Sequence, residues 1–225
     1  MLFRRVIGFI CALLIAPLPA QAEQGNRSPS ELINASTTFR TLSLSKKLIA
    51  YGRSNHDALA LILAADMRQK LALKPVQRTL LDQDGNAAKT ERNDRSLVSE
   101  ILKYAEKFAA GNEALLELIK DVKFNTSKGK RDGPAYTIAT VKPGGATQYK
   151  DFQFDINKYA EIYVEGSGET NLDLYVYDAN GKLICSDTDK SDINYCGWTP
   201  DSSGLYKITI RNRGKLPSQY FLITN

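Results

Sequence analysis

The sequence contains a single histidine, His56, and this scarcity limits the catalytic chemistry available to it. A Ser-His-Asp or Cys-His hydrolase would have to use this residue, and no nucleophile-elbow motif accompanies it. An HExxH motif, CxxC metal-ligand pairs, a P-loop and a Rossmann glycine fingerprint are also missing. We therefore expect no enzyme activity, and we place His56 on the surface near a helix start. A hydrolase that uses carboxylates alone stays open, because two acidic side chains suffice for glycoside hydrolysis.

Cysteine is also scarce, with three residues in the whole chain. Cys11 lies in an apolar N-terminal segment, so Cys185 and Cys196 are the pair left for an intramolecular disulfide in an exported protein. A reactive thiol pair normally has CxxC spacing beside a helix N-terminus, which this pair lacks. We predict a structural disulfide that closes a short loop between neighbouring strands.

No segment beyond the N-terminus is long and apolar enough to cross a membrane. Residues 1–22 have the features of a signal peptide: two arginines, the apolar run 6–15 and a small-residue cleavage motif that ends at Ala22. An uncleaved anchor is the alternative, but the apolar run is too short to span a bilayer. We predict cleavage after Ala22 and a periplasmic or secreted protein.

The two halves of the sequence differ in the sign of their charge. Residues 23–132 hold 19 basic and 14 acidic side chains, whereas residues 133–225 hold 9 and 11. A dedicated nucleic-acid binder would show a concentrated basic stripe, so we expect no nucleic-acid partner. The basic excess of the first half would favour an acidic partner surface.

Apolar residues recur at helical spacing through the first half, which predicts an α-helical domain over 28–124. The polar stretch 77–95 interrupts this pattern and is predicted to be a surface loop. The stretch 125–134 is rich in turn formers, and the pattern changes from helical to alternating across it. We therefore predict a linker there, followed by a second domain over 135–225.

The helical half divides into two hairpins with similar turns, one at 51–55 and one at Gly111-Asn112. Two such hairpins could stack as in helical-repeat proteins, but the similarity could also arise simply because Gly and Asn are common at helix turns. Ser54 or Asn55 is predicted to cap the second helix, and Ser96 the third.

The second half alternates between apolar and polar residues, as expected for strands with one buried face. Asn180-Gly181 favours a tight hairpin turn between two of these strands. Many short strands separated by turn formers are typical of an antiparallel β-sandwich or jelly roll, so the fold class is α+β. The predicted strands are 136–141, 149–156, 160–165, 172–177, 182–186, 193–198, 205–212 and 218–224.

Four aspartates near the Asn180-Gly181 hairpin are candidate calcium ligands, because Ca²⁺ prefers hard oxygen donors gathered by a sheet edge and a loop. The alternative is that these side chains only cap backbone N–H groups in turns. The candidates are Asp173, Asp187, Asp189 and Asp192.

Three tyrosines point away from the predicted core by alternation: Tyr163, Tyr175 and Tyr177. Clustered exposed rings can form a platform for glycans or extended peptide, because each offers flat apolar area and a hydroxyl. The alternative is that these rings support the helical domain or neighbouring strands.

The segments LDLYVYDANG, WTP and GLYKITIRN, with TVKPGG before them, resemble the bacterial pre-peptidase C-terminal domain over 133–225. The resemblance implies a small β-sandwich that acts as a non-catalytic accessory module of exported proteins, aiding secretion, stability or substrate targeting. Some related modules bind calcium and matrix protein. The resemblance does not extend to the helical half.

We expect an exported, non-catalytic binding or accessory protein of the bacterial envelope or secretome that contacts a macromolecular partner. A first alternative is a calcium-stabilised module that binds polysaccharide or matrix protein. A second is a hydrolase that uses carboxylates alone.

Overall fold

The computed structural model describes residues 35–82, 84–89, 97–124, 133–168 and 170–225. The predicted signal peptide, the cap predicted at Ser96 and most of the predicted linker lie outside these residues. Within them, helices precede a β-sandwich, so the predicted α+β class is confirmed.

The helices pack around one apolar core, in which Leu61 and Ile62 meet Ile101, Leu102 and Ile119. None of the four described helices is both long and apolar enough to cross a membrane. The described helices are α1 (Thr37–Asn55), α2 (Ala58–Lys70), α3 (Leu97–Phe108) and α4 (Glu113–Phe124).

The junction between α1 and α2 differs from the predicted one. His56 follows α1 in the left-handed conformation, and Asp57 accepts a hydrogen bond from the backbone N–H of Ala60 at 3.0 Å. The predicted cap at Ser54 or Asn55 is wrong, because both residues lie in the last turn of α1. His56 is exposed and lies near a helix start, as predicted, because it directly precedes Asp57, the N-cap of α2; it also ends α1.

Two sheets pack face to face and bury a second apolar core, to which Leu174, Val164 and Ile208 contribute. The five-stranded sheet has the order β1-β4-β11-β6-β9, and the six-stranded sheet has the order β3-β2-β5-β10-β7-β8. The strands are β1 (Lys74–Pro75), β2 (Thr79–Leu81), β3 (Ala87–Lys89), β4 (Ala135–Val141), β5 (Ala146–Gln153), β6 (Ala160–Gly166), β7 (Leu172–Tyr177), β8 (Leu183–Asp187), β9 (Ile193–Trp198), β10 (Leu205–Asn212) and β11 (Ser218–Thr224).

Three short strands from the first half of the chain join these sheets. β1 pairs in parallel with β4, and the β2–β3 hairpin extends the six-stranded sheet beside β5. The prediction that 77–95 is only a surface loop is therefore wrong, because strands of two or three residues are too short to show a period of two. Just before β4, the backbone at Gly133 passes close to the backbone at Ala72, which follows α2. A Cβ atom at Gly133 would lie 2.2 Å from the carbonyl oxygen of Ala72, so only glycine permits this approach of the two backbones.

Strand β5 begins and ends earlier than predicted. Phe152 is buried, but the strand ends at Gln153 and Ile156 is 45% exposed. Ile156, the last residue of the predicted strand, therefore does not share the buried face of Phe152, because side chains alternate only while the backbone stays extended. Phe154 packs beside Trp198, with ring centroids 4.9 Å apart.

The predicted hairpin between β7 and β8 is confirmed. Asp178 accepts hydrogen bonds from the backbone N–H groups of Asn180 and Lys182 at 2.9 and 2.8 Å, and Gly181 has a positive φ of 82°. The disulfide between Cys185 and Cys196 is also confirmed. It joins β8 of one sheet to β9 of the other, so it links the two layers of the sandwich rather than neighbouring strands of one sheet.

The outer face of the five-stranded sheet is covered by helices. Phe39 and Leu42 of α1 pack on Tyr163, Tyr195 and Ile223 of the sheet. The interface is tied by polar contacts as well as by apolar ones, since the backbone N–H of Ser36 donates to Glu161 at 2.7 Å. This leaves the outer face of the six-stranded sheet as the open face of the sandwich in the described part of the chain.

Candidate ligand-binding face

The outer face of the six-stranded sheet follows directly from the alternation in β7 and β10. Leu172, Leu174 and Val176 are fully buried, so the residues between them point outward. The register places Lys207, Thr209 and Arg211 of β10 opposite three outward residues of β7. We call these six residues the sheet face: Asp173, Tyr175, Tyr177, Lys207, Thr209 and Arg211.

Aromatic rings and a cation lie side by side at one end of the sheet face. The rings of Tyr175 and Tyr177 are 6.5 Å apart between centroids and nearly parallel, at 19°. The Nζ atom of Lys207 lies 4.6 Å from the centre of the Tyr177 ring, which is the geometry of a cation–π contact. Both tyrosines stay partly exposed, so their rings are accessible to a ligand.

A buried carboxylate organises the other end of the sheet face. Asp173 accepts hydrogen bonds from Nε of Arg213 at 2.6 Å and from the Tyr175 hydroxyl at 3.0 Å. The Asp173 side chain is 4% exposed, whereas that of Arg213 is 45% exposed. The hydrogen bond to Asp173 raises the pKa of the Arg213 guanidinium, and burial raises the pKa of the Tyr175 hydroxyl. Arg213 is thus fixed on one side and presented to solvent on the other.

A groove of about 490 Å³ opens beside this cluster, and we call it the Arg213 groove. Lys190 is exposed at the groove and adds a second cation. The Asn171 side-chain oxygen is buried and has no hydrogen-bond partner among the described residues. The groove is lined by Asn171, Asp173, Tyr175, Leu183, Ser186, Thr188, Lys190 and Arg213.

The four candidate calcium ligands are not brought together. Asp173 binds Arg213, while Asp187 accepts a hydrogen bond from the backbone N–H of Tyr195 at 2.9 Å. Asp192 accepts one from Gly168 at 2.6 Å and lies 3.3 Å from Lys46 of α1. The described residues contain no group of three or more His, Cys, Asp or Glu side chains that could hold a metal ion. Calcium binding stays a prediction, and the geometry supplies no assembled site for it at these aspartates.

Asp189 differs from the other three aspartates. One of its carboxylate oxygens is buried without a hydrogen-bond partner among the described residues. Its backbone N–H faces Asp187 at 3.4 Å, so the two side chains belong to one turn. The hydrogen bond fits the alternative interpretation, in which Asp187 caps a backbone N–H group in a turn.

The Asp187 carboxyl predicts a pH dependence of stability. Burial raises its pKa from 3.8 to about 6, although hydrogen bonds from backbone N–H groups oppose the shift. The folded state therefore binds this proton more tightly than the unfolded state, and the free energy of unfolding should fall as pH rises from about 4 to about 6. Asp187→Asn should flatten that decline in urea unfolding measured across this range. If the variant shows the same dependence of stability on pH as the unaltered protein, the decline does not arise from the Asp187 carboxyl.

The predicted tyrosine platform is wrong for one of its three members. Tyr163 lies in β6 of the five-stranded sheet and is fully buried beneath Phe39 of α1, at 6.2 Å between ring centroids. It donates a hydrogen bond to Glu165 at 3.2 Å. Tyr175 and Tyr177 lie on the opposite side of the sandwich. Alternation shows which residues point away from a sheet core, but it does not show whether another element covers them.

Sequence reasoning missed the cations that define the candidate site. Lys207 could have been found from the sequence, because it lies between the apolar residues Tyr206 and Ile208 and points away from the core by alternation. Arg213 follows the end of β10 and is 40 positions from Asp173, so no local pattern connects them. The pairing depends on the antiparallel register of β7 and β10.

Comparisons with known proteins find likeness in the sandwich fold. No protein-family model and no curated protein matches the chain. The mitogen derived from Yersinia pseudotuberculosis is 17% identical, with 41% of this chain and 85% of that chain covered and a TM-score of 0.33. The periplasmic inhibitor of g-type lysozyme from Aeromonas hydrophila is 13% identical, with 41% of this chain and 86% of that chain covered and a TM-score of 0.31.

The pre-peptidase C-terminal domain of a collagenase from Bacillus anthracis is also similar. It is 11% identical, with 41% of this chain and 89% of that chain covered and a TM-score of 0.34. At this level of identity the likeness concerns the fold alone, and it assigns no ligand. The C-terminal part of the chain is thus similar in fold to a pre-peptidase C-terminal domain and to other β-sandwich proteins, one of which is periplasmic.

Proposed function

We propose that this protein is an exported, non-catalytic binding or accessory protein of the bacterial envelope or secretome, which contacts a macromolecular partner through the sheet face. The observation that carries the proposal is the difference between the two outer faces of the sandwich. Helices occupy the outer face of one sheet, whereas the other presents tyrosine rings, cations and a groove. Exposed aromatic and arginine side chains are the groups that contribute most to binding at protein surfaces.

Export is supported by the disulfide between Cys185 and Cys196. Disulfides of this structural kind persist in oxidising compartments, such as the periplasm and the extracellular space. Both cysteines are buried in the sandwich core, so the disulfide is of the structural kind and is not exposed as a reactive cysteine pair would be. The signal peptide predicted from residues 1–22 points to the same compartments.

A non-catalytic role is supported by how the buried carboxylates are used. Glu161 and Glu165 contact the helices, and Asp173 contacts Arg213. Asp187, whose raised pKa would suit a general acid, is 8% exposed and accepts hydrogen bonds from backbone N–H groups. A carboxylate-only hydrolase needs two acids that face one substrate, and these side chains are committed to structural contacts.

The test is quantitative co-sedimentation of the purified mature protein with cell envelopes of the producing bacterium. Tyr177→Ser combined with Lys207→Ser removes one exposed ring and one cation from the sheet face. We expect the apparent affinity to fall at least about 10-fold, because aromatic and charged contacts at the centre of an interface contribute most of its binding energy.

A matched control removes an equivalent pair from the helices. Arg53 lies 4.5 Å from the centre of the exposed Tyr104 ring, so Arg53→Ser with Tyr104→Ser deletes the same two kinds of group elsewhere. The control should retain envelope binding within about two-fold. Equal losses in the two variants, or no binding by the unaltered protein, would reject the proposed function.

A further inference from the structure

We propose that the Arg213 groove binds an acidic polysaccharide by receiving the carboxylate of a uronic acid residue. This inference rests on the proposed function and names the chemical class of its ligand. The groove holds two cations, Arg213 and Lys190, and one carboxylate, Asp173. Because Asp173 is already paired with Arg213 at 2.6 Å, the groove retains one positive charge in excess.

The local charge is opposite to that of the surrounding sequence. Residues 133–225 carry 9 basic and 11 acidic side chains, yet several of the acids are placed away from the groove. Glu161, Glu165 and Asp192 contact the helices at the other sheet. These three acids therefore add no negative charge to the groove lining, whose excess positive charge is complementary to an anion.

The guanidinium of Arg213 is oriented to bind a carboxylate. Its Nε is held by Asp173, and its Nη2 lies 3.3 Å from the Tyr175 hydroxyl, so the guanidinium plane is oriented before a ligand arrives. A fixed, partly exposed guanidinium forms charge-assisted hydrogen bonds to a carboxylate at a small further cost in side-chain entropy.

The remaining lining groups suit a sugar ring. The Asn171 oxygen is a buried acceptor that has no donor among the described residues, and a sugar hydroxyl can supply the missing hydrogen bond. Ser186 and Thr188 add hydroxyl groups to the lining, and Tyr175 adds the edge or face of an aromatic ring. Among the described residues that line the groove, Leu183 is the one aliphatic side chain, so this lining lacks the apolar pockets that usually anchor side chains of a bound peptide.

The test is titration calorimetry of the purified mature protein with polygalacturonate, a polymer of a uronic acid. Its methyl ester serves as a neutral polymer of the same backbone, and polyglutamate as an acidic peptide. We expect polygalacturonate to bind, and the ester and polyglutamate to bind at least about 10-fold more weakly, because each lacks either the carboxylate or the hydroxyls.

Lys190→Gln should lower the affinity for polygalacturonate about 10-fold, since it removes one of the two groove cations. Lys182→Gln is the matched control, because Lys182 is also exposed, carries the same charge and lies outside the groove lining. It should change the affinity by less than about two-fold. Both substitutions are at exposed side chains, so thermal unfolding should confirm that the two variants remain folded.

Three results would overturn the assignment: no binding of polygalacturonate, equally tight binding of polyglutamate or the methyl ester, or equal losses in the two lysine variants. Equal binding of polyglutamate would indicate an acidic peptide or general attraction of anions instead. If envelope binding still depends on Tyr177 and Lys207 in that case, the proposed function stands and only the ligand class is rejected.

Discussion

Arg68→Met should lower the free energy of unfolding by about 3–5 kcal/mol, because it leaves a buried carboxylate without its cation. Arg68 of α2 is 2% exposed and donates from Nη2 to Glu165 at 2.6 Å and from Nε to Ser45 at 2.8 Å. Glu165 is 3% exposed and would keep only the hydrogen bond from Tyr163 among its described side-chain contacts. Urea unfolding of the variant and the unaltered protein measures the difference.

The double variant Arg68→Met with Glu165→Met separates charge burial from packing. Desolvation of the two charges offsets much of the attraction within a buried ion pair. Two apolar side chains of similar volume therefore often restore the stability that either single change removes. The Nη1 atom of Arg68 is itself buried and has no hydrogen-bond partner in the described part of the chain, which adds to the cost of the native pair. We expect the double variant to regain most of the loss. Additive losses would show that packing at this contact, rather than an unpaired charge, accounts for the effect.

Phe39→Ala should also lower the free energy of unfolding by about 3–5 kcal/mol, the usual cost of removing a buried aromatic side chain. Phe39 is fully buried where α1 meets the five-stranded sheet, and its ring centroid lies 6.2 Å from that of Tyr163 and 6.1 Å from that of Tyr195. The truncation leaves a cavity between two rigid layers that cannot close fully around it. Chemical unfolding gives the change directly.

Leu44→Ala is the control for Phe39→Ala on the same helix. Leu44 is 50% exposed, so its truncation should cost less than about 1 kcal/mol. If the two variants lose equal stability, Phe39 does not anchor α1 to the sheet as the structure indicates. A large loss in Phe39→Ala alone would show that the helices and the sandwich stabilise one another through this contact.

The outer face of the five-stranded sheet holds several of the polar contacts that join the helices to the sandwich. Lys46 donates to the carbonyl of Gly166 at 2.6 Å, and the Tyr195 hydroxyl donates to Glu161 at 2.9 Å. These bonds satisfy polar side chains that would otherwise face solvent on the outer surface of a β-sandwich. The same contacts commit that surface to holding the helices, which leaves the sheet face as the surface available to a partner.

The sequence alone determined most of the sandwich, because long half-buried strands carry their own signal. The predicted bounds of β9, β10 and β11 coincide with the observed strands, and β10 alternates buried and less buried residues along its length. The Asn180-Gly181 turn and the Cys185–Cys196 disulfide were equally accessible, because each depends on local turn chemistry or on the number of cysteines.

Only the tertiary structure decided which surfaces remain open and which side chains meet. Tyr163 and Tyr175 look alike in the sequence, but α1 buries one and leaves the other at the groove. Asp173 and Arg213 come together through strand register, and Arg68 and Glu165 through the docking of a helix on a sheet. Local periodicity records whether a residue points toward or away from its own sheet. What lies on the far side of that sheet depends on contacts between distant segments, which no local pattern contains.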